Sequence, residues 1–246
     1  MIKAATKAVI EGQRKAFFAT LRVQDFLVPV DAEAAKAALD ALGRPTGAAA
    51  NVAERVKAEA AEEAEDLVSR HAAALLPSEC HRAPTHLQMA ALALGAQRAL
   101  LREAAKEEYG WAGEDTLRAR TIVAGALGVV APPDGSTPYG APVMWLPNRA
   151  AVTLSWDKQA TVRRMVDNFK VDLGQGFDVE PLEPAPSVCM TRCLYTDFCR
   201  AEGEPTLAPV FWAQHEATFK GVPGYEFEAP DLAGGDDAAR CSFWFR

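Results

Sequence analysis

The most informative run of this chain reads Val188-Cys189-Met190-Thr191-Arg192-Cys193-Leu194-Tyr195-Thr196-Asp197-Phe198-Cys199. The alternation at its start predicts a β-strand over residues 188–194, because successive side chains of a strand point to opposite faces. A short helix is expected to follow over 195–201. Working outward, further strands are expected at 177–182, 225–229 and 240–245, and a helix is expected at 209–220. These elements predict a small antiparallel sheet.

The part of the chain before this sheet is rich in alanine and predicts helices. Apolar residues recur at helical spacing over 1–22, 48–76, 86–108, 115–127 and 148–169. Thr85 is expected to cap the helix over 86–108, and the small residues around Gly95 favour close helix packing there. The predicted fold class is α+β, with a helical N-terminal portion and a small C-terminal antiparallel β-sheet.

The sequence divides into three predicted regions. Residues 1–130 form a mainly helical region, 131–147 a linker or loop rich in proline and glycine, and 148–246 an α+β region. Four prolines and two glycines fall between Ala131 and Pro142. Such a composition is not expected to form regular structure.

Charge and composition narrow the classes of partner. The formal net charge is -7, and no basic stripe is interleaved with aromatic residues, so no nucleic-acid partner is expected. No apolar run is long enough to predict a transmembrane segment. The five cysteines are an odd number without the density of a disulfide scaffold, which favours an intracellular, reducing compartment, either the cytoplasm or an organelle stroma or matrix. No cofactor is expected.

The alanine- and glutamate-rich helices leave two interpretations open. The acidic run from Glu59 to Asp66 is the solvated face of a long helix in one interpretation, and a surface for a protein partner in the other.

Three pieces in the last part of the chain occur in a recognisable order. They are Thr191-Arg192-Cys193-Leu194-Tyr195-Thr196-Asp197-Phe198, Gly203-Glu204-Pro205-Thr206-Leu207-Ala208-Pro209-Val210, and Gly235 followed by Cys241-Ser242-Phe243-Trp244-Phe245. From Gly176 onward this order resembles the L-2-amino-thiazoline-4-carboxylic acid hydrolase family. The resemblance implies hydrolytic opening of a cyclic amidine that bears a carboxylate.

The chain also departs from the pattern of that family. Trp212-Ala213-Gln214-His215 stands where the family has Cys-x-x-Asp, and Glu228-Ala229 stands where it has Arg-Thr. Ser242 and Trp244 replace the Asp and Arg of the closing strand, and two residues are inserted around 236–240. Loss of the arginines removes the expected partner of a substrate carboxylate. The resemblance therefore predicts the fold more firmly than the substrate.

The resemblance implies roles for eight residues. Cys193 is the candidate nucleophile, at a strand-to-helix junction where helix amides are expected to lower the thiol pKa. The candidate proton carriers are His215, Glu216 and Asp197. The candidate substrate-binding residues are Arg192, Trp212, Cys241 and Trp244, with Arg200 as a further candidate anion clamp.

Each of these residues also has a purely structural interpretation. In this interpretation Cys193 and Cys241 are small buried hydrophobic residues, and His215 is a surface residue. Asp197 then only caps a helix, and the tryptophans form core or pocket wall. A metal site built from Cys189, Cys193 and Cys199 with His215 or Cys241 does not match common zinc spacings, so no metal is expected.

The sequence predicts a divergent small-molecule hydrolase that acts on a carbon–nitrogen bond, other than a peptide bond, in a small heterocycle resembling a cyclic amidine. The alternative is a non-catalytic descendant that binds a ligand or serves as a subunit of a larger assembly. A third hypothesis is a thiol-redox or metal-binding protein.

Overall fold

The computed structural model of this protein describes residues 4–23, 47–75, 83–106, 115–131, 138–229 and 240–246. Four helices come first in these ranges: α1 (Ala4–Thr20), α2 (Gly47–Leu75), α3 (Ala83–Ala104) and α4 (Asp115–Ala126). A short antiparallel ribbon follows, in which β1 (Val129–Val130) pairs with β2 (Tyr139–Gly140).

The second half of the chain contains the larger sheet. Its elements are α5 (Pro142–Thr153), α6 (Lys158–Leu173), β3 (Phe177–Pro181), β4 (Val188–Cys193), α7 (Leu194–Ala201), α8 (Ala208–Ala217), β5 (Tyr225–Glu228) and β6 (Cys241–Phe245). The strand order is β3-β4-β6-β5, and each neighbouring pair is antiparallel. The predicted α+β class, with helices first and a small antiparallel sheet near the carboxyl end, is confirmed.

Helix α3 is the central helix of the N-terminal part. It packs against α1, α2, α4 and α7, and its residues between Ala90 and Leu100 are buried except for Arg98. A Cβ atom at Gly95 would lie only 2.7 Å from the carbonyl oxygen of Ala60 on α2. The expected close packing around Gly95 is therefore present, and it requires a residue without a side chain.

A buried carboxylate ties three of the helices together. The Glu202 side chain, just after α7, is 6% exposed and pairs with Arg70 at 2.8 Å, with Arg98 at 3.0 Å and with His71. Burial alone would raise the pKa of Glu202, but hydrogen bonds from His71 and Arg98, with the charges of Arg70 and Arg98, hold it below its usual value. Because Arg70 and His71 lie on α2 and Arg98 lies on α3, this carboxylate fixes α7 against both helices.

Helix α8 is held close to the short ribbon and to an aromatic layer. A Cβ atom at Gly140 would overlap the Cβ atom of Ala217, so β2 and α8 are in direct contact. After α8, the ring of Phe219 lies 5.1 Å from Phe169 on α6, and Phe169 lies 5.3 Å from Phe243 on β6. This layer joins α6, the end of α8 and the sheet.

The expected start of the helix over 86–108 is wrong by one turn. Helix α3 begins at Ala83, so Thr85 lies within the helix instead of capping it. Pro84 falls in the first turn, where a missing backbone N–H costs no hydrogen bond. The helix ends at Ala104, so the prediction is also wrong for residues 105 and 106, while 107 and 108 lie outside the described residues.

The single helix expected over 148–169 is two helices, α5 and α6. The break falls at residues 154–157, where the Asp157 side chain accepts a hydrogen bond from the backbone N–H of Ala160. Asp157 therefore caps a new helix, as this residue type commonly does. Trp156, expected on the apolar face of one helix, lies in the break and is fully exposed.

The expectation of a linker or loop over 131–147 is wrong for its second part. Tyr139 and Gly140 form β2. Ala141 is extended, and α5 begins at the next residue, Pro142. Proline is compatible with the first position of a helix because its fixed φ suits that position. Residues 132–137 lie outside the described ranges.

Candidate functional site

A cavity of about 410 Å³ lies where the helical part meets the C-terminal part. Helices α1, α3, α5, α6, α7 and α8 each contribute to its wall. Its apolar lining consists of Met89, Met165, Phe169 and Leu173, with the ring of Tyr195. Its polar lining consists of Gln13, Thr85, His86, Asn148, Asn168, Asp172, Gln214, His215 and Thr218. We call it the two-histidine cavity.

His86 connects α3 with α6 and α7 at the cavity wall. Its Nε2 atom lies 2.9 Å from the backbone carbonyl oxygen of Asp172, and its Nδ1 atom lies 2.8 Å from the hydroxyl oxygen of Tyr195. Because a carbonyl oxygen can only accept, Nε2 carries a proton. In the neutral ring, Nδ1 accepts a hydrogen bond from the Tyr195 hydroxyl, and in the protonated ring Nδ1 donates to the tyrosine oxygen.

The Tyr195 ring is fixed by stacking. It lies 4.2 Å from the ring of Phe211 with an angle of 3° between the planes, and it is 3% exposed. Burial raises the pKa of Tyr195 well above its ordinary value. The hydroxyl group is therefore protonated at any physiological pH, and its position is set by α8 as well as by His86.

His215 lies on α8 and is buried, so the interpretation of this residue as a surface residue is wrong. Its ring lies 5.5 Å from Phe169, 5.7 Å from Phe177 and 5.4 Å from Tyr195. Burial, with a contribution from the nearby His86, lowers the pKa of His215 to about 3. The imidazole is thus neutral at physiological pH.

Two residues of the cavity lining each have a buried polar atom without a hydrogen-bond partner among the described residues. The atoms are Nδ1 of His215 and the side-chain oxygen Oε1 of Gln13, on α1, and neither is accessible to a water molecule. Buried polar side-chain atoms are normally paired, so such atoms are each in need of a partner. Asp172 and Asn168, by contrast, are exposed at the rim. The mouth of the cavity is thus polar and exposed, whereas the two unpaired atoms are enclosed within its wall.

The structure places both candidate cysteines in the core and not at this cavity. Cys193 ends β4 opposite Phe177, Cys241 begins β6 opposite Met190, and both are fully buried. Burial raises the pKa of the Cys193 thiol, and hydrogen bonds from Thr196 and Tyr195 offset this only in part. The expectation of a lowered pKa at Cys193 is therefore wrong in direction. Burial also raises the pKa of Cys241.

The remaining candidates form ion pairs or pack in the core. Arg192 Nε lies 3.1 Å from Asp197 Oδ2 in a half-exposed ion pair. Glu216 pairs with Lys220 at 3.7 Å. Trp212 is buried, and its Nε1 donates to the Thr196 hydroxyl at 3.1 Å.

Two further candidates lie away from the cavity lining. The ring of Trp244 lies beneath the Arg246 guanidinium, 5.4 Å from its central carbon. Arg200 lies on α7. Of the eight residues assigned a role from the sequence, the described lining of the cavity includes His215 alone.

Sequence reasoning missed most of this cavity. His86 and Tyr195 were within predicted helices, and Tyr195 follows Cys193 by two residues, so the quoted run did contain a site residue. Gln13, Asn148 and Gln214 carry no local signal, because an amide at one helical position resembles any solvated amide. Their convergence arises from tertiary packing.

Two negative findings concern the described ranges. No group of three or more histidine, cysteine, aspartate or glutamate side chains there is arranged to hold a metal ion. None of the helices within those ranges combines the length and hydropathy required to cross a lipid bilayer.

Comparison with protein-family models, with curated proteins and with solved structures finds no match to this chain. The resemblance to the thiazoline-carboxylate hydrolases therefore stays a prediction that rests on the quoted sequence pieces. Function has to be argued from the cavity itself.

Proposed function

We propose that the protein binds a small nitrogen-containing heterocycle in the two-histidine cavity, which is the ligand-binding alternative that the sequence left open. One observation carries the proposal: a cavity of about 410 Å³ combines apolar side chains with several amides and two histidines that converge from different helices. A few polar groups on an apolar wall are the arrangement that orients a small ligand.

The size and lining of the cavity support a small ring compound. Small-molecule sites commonly occupy roughly 300–1,000 Å³ and combine apolar walls with a few polar groups that fix orientation. Here the thioethers of Met89 and Met165 and the ring of Phe169 supply flat and adaptable apolar contact, while amides and histidines supply polar contact.

Ligand retention and a matched pair of variants test the proposal. Native mass spectrometry of the purified protein is expected to show a bound small molecule, or binding from a library of small heterocycles. Gln13→Leu is expected to weaken binding about tenfold, since it removes one polar side chain from the lining. The same change at exposed Gln159 serves as the control and is expected to leave affinity unchanged. Equal affinities of the two variants for every ligand found would contradict the proposal.

A second candidate, ring-opening hydrolysis in the same cavity, is favoured by the His86–Tyr195 pair. A hydroxyl group hydrogen-bonded to an imidazole is suited to protonate a departing ring nitrogen. Water would add to the ring carbon and the carbon–nitrogen bond would break. The departing nitrogen would take the Tyr195 proton to form an N–H, and the added oxygen would return a proton to Tyr195 as it becomes the C=O. His215, with a pKa of about 3, is a weak base and would orient the water by hydrogen bonding. Cys193 takes no part in this version.

Mass spectrometry after incubation with 2-amino-thiazoline-4-carboxylate, other cyclic amidines and lactams tests this second candidate. Addition of one water to a substrate is expected to be lost in Tyr195→Phe, which keeps the stacked ring, and retained in Cys193→Ala. Loss of turnover in Cys193→Ala alone would instead support the thiol as nucleophile. Absence of turnover across the panel would leave binding without catalysis.

Two further observations bear on the compartment and on a protein partner. The four described cysteines are free and buried, which supports a reducing compartment. On the acidic face of α2, Arg102 pairs with Glu59 at 3.5 Å, and the exposed Glu62 and Asp66 support a protein partner that carries positive charge. Light scattering alone and with candidate partners tests assembly.

A further inference from the structure

A second, smaller pocket lies where α5 and α6 meet the end of the sheet. Its volume is about 130 Å³, and it shares no lining residue with the two-histidine cavity. Its wall comes from the end of α5, the first two turns of α6, the loop between β3 and β4, and the segments next to β5 and β6. We call it the cationic pocket, because its lining includes Lys158, Arg163 and Arg246.

The inner part of the cationic pocket is apolar. Val152, Val162 and Phe245 are buried core residues, and Pro186 and Pro223 complete the apolar wall. An engineered apolar cavity of about 150 Å³ holds one benzene molecule. A pocket of about 130 Å³ therefore has room for a single ring or a short aliphatic chain.

Two cations at the edge of this pocket have no partner among the described residues. Lys158 and Arg163 are exposed, and neither side chain forms an ion pair or a hydrogen bond within the described ranges. The third cation, Arg246, pairs with Glu226 at 3.0 Å. Lys158 and Arg163 are therefore the groups that are open to an anion.

The carboxylates of the adjoining segments already have partners. Asp157 accepts a hydrogen bond from the backbone N–H of Ala160, and Glu183 accepts one from that of Ala185. No acidic residue is among the described lining of the pocket. The local charge is thus positive, although the chain as a whole has a net charge of -7. Opposite charges across an interface favour binding, so this pocket favours an anionic ligand.

We propose that the cationic pocket binds a small carboxylate, whose ring or short chain fills the apolar part while Lys158 and Arg163 contact the carboxylate group. Charge-assisted hydrogen bonds from lysine and arginine to carboxylates are stronger than neutral ones. A free small molecule is the occupant, because the pocket has room for one ring and no more. The proposal goes beyond the proposed function, since both the site and the class of ligand differ.

Benzoate, benzamide and acetate form a matched set of probes. Benzamide keeps the ring without the charge, and acetate keeps the charge without the ring. NMR titration of isotope-labelled protein at pH 7.5 is expected to give benzoate a dissociation constant on the order of 1 mM, as suits so small a ligand. Benzamide is expected to bind about fivefold more weakly, and acetate at least about tenfold more weakly. The backbone amide signals of Val162 and Phe245 are expected to shift with benzoate.

Variants test the role of the two cations. Lys158→Gln and Arg163→Gln are each expected to weaken benzoate binding about twofold, and together about fivefold, because exposed charges contribute modestly. Benzamide binding is expected to stay unchanged in all three proteins. Arg164→Gln is the matched control, since Arg164 is exposed on the same helix and does not line the pocket. Higher salt is expected to reduce the difference between benzoate and benzamide.

Absence of benzoate binding, or equal affinities for benzoate and benzamide, would overturn the proposal. Equal weakening by Arg163→Gln and Arg164→Gln would do the same, as would signal shifts at the two-histidine cavity instead of at Val162 and Phe245. A short peptide that ends in phenylalanine and is blocked at its amino end tests the other source of a carboxylate. If it binds more than about tenfold more tightly than benzoate, the occupant is a protein terminus and the proposal is wrong.

The proposed function is decided separately, by the retained ligand and the Gln13→Leu comparison, because the two sites share no residue. The amide spectrum of each variant shows whether its fold is intact before affinities are compared.

Discussion

His215 is a neutral imidazole enclosed by aromatic rings, and its position has a cost in stability. Its Nδ1 atom is buried without a hydrogen-bond partner among the described residues, and Phe169, Phe177 and Tyr195 surround its ring. A phenylalanine at this position would meet the same neighbours without an unpaired polar atom. Natural proteins commonly keep such unfavourable groups where a ligand makes use of them.

We expect His215→Phe to be more stable than the wild type and to bind ligand poorly. Removing the unpaired atom is expected to raise the free energy of unfolding by about 1 kcal/mol at pH 7.5. Urea denaturation measures the stability and titration measures the binding. A variant that loses stability while keeping affinity would show that Nδ1 has no role toward a ligand.

The pH dependence of stability is expected to differ between these two proteins. The pKa of His215 is about 3 in the folded protein and 6.5 ordinarily, so between these pH values the unfolded chain binds a proton that the folded chain does not. Stability therefore falls as the pH falls through this window, with a slope of at most about 1.4 kcal/mol per pH unit for one group. Between pH 7.5 and pH 5, the free energy of unfolding should fall less for His215→Phe than for the wild type, as measured by denaturation at both pH values. Identical losses would contradict the assignment.

Cys193 is expected to behave as an unreactive thiol. It is fully buried and burial raises its pKa, so both access and thiolate content are low. Iodoacetamide at pH 7.5 is expected to label Cys193 on the order of 100-fold more slowly in the native protein than in urea. Peptide mapping by mass spectrometry measures the two rates. Rapid labelling in the native state would restore the nucleophile hypothesis.

At the scale of elements, the contact between α2 and α3 depends on a residue without a Cβ atom. A methyl group at Gly95 would approach the backbone oxygen of Ala60 to 2.7 Å and the nitrogen of Ala64 to 3.3 Å. These atoms belong to a helix backbone and cannot rotate away, so the helices would have to separate.

We expect Gly95→Ala to lower the free energy of unfolding by about 1–3 kcal/mol, although alanine is the better helix former. Gly12→Ala on α1 is the matched control, because a Cβ atom there meets nothing within 4 Å. It is expected to raise stability by about 0.5–1 kcal/mol. Thermal and urea unfolding of both variants provide the measurement, and equal effects at the two positions would argue against close packing of α2 and α3.

The type of most elements could be predicted from the sequence, but some of their ends could not. The run over 188–199 predicted the boundary between β4 and α7 to within one residue, because a strand pattern changes abruptly into a helical one there. The break between α5 and α6 was missed although Asp157 signalled it. Apolar residues keep a helical spacing across the break, and this spacing obscured the cap.

At the scale of the whole molecule, Glu202 couples the helical part to the C-terminal part. Its buried carboxylate is shared by Arg70, His71 and Arg98 from two helices. Removing its charge leaves three cationic or polar groups without their acceptor, and such a loss is costly at a buried site.

Glu202→Gln is expected to lose about 2–4 kcal/mol of stability at pH 7. The exposed Glu180→Gln is the control and is expected to change stability by less than about 0.5 kcal/mol. Because the folded pKa of Glu202 is lowered, its contribution is present above pH 4.5 and is lost as the pH falls through the folded pKa. The difference in the free energy of unfolding between wild type and Glu202→Gln should therefore become smaller below pH 4.5. A difference that is constant with pH would mean that packing, and not charge, is responsible.

The candidate site could be predicted only in part, for a physical reason. His215 was selected from the sequence, but the cavity needs Gln13 from the first helix and Asn148 from the middle of the chain. Which amides converge depends on helix packing that no local pattern encodes. Cys193 and Cys241 were candidates because thiols are nucleophilic, but both are buried in the core and neither lines the cavity.

The distribution of this cavity over the chain has a consequence during protein synthesis. Gln13 and His215 are about 200 residues apart, so at ribosomal speeds the second follows the first by on the order of ten to forty seconds. Helix α1 can dock in the meantime, because its neighbours α3 and α4 are translated early. The pocket itself is completed late, when α8 arrives. A ligand of this cavity therefore cannot assist folding during synthesis. It can only stabilise chains that have already folded.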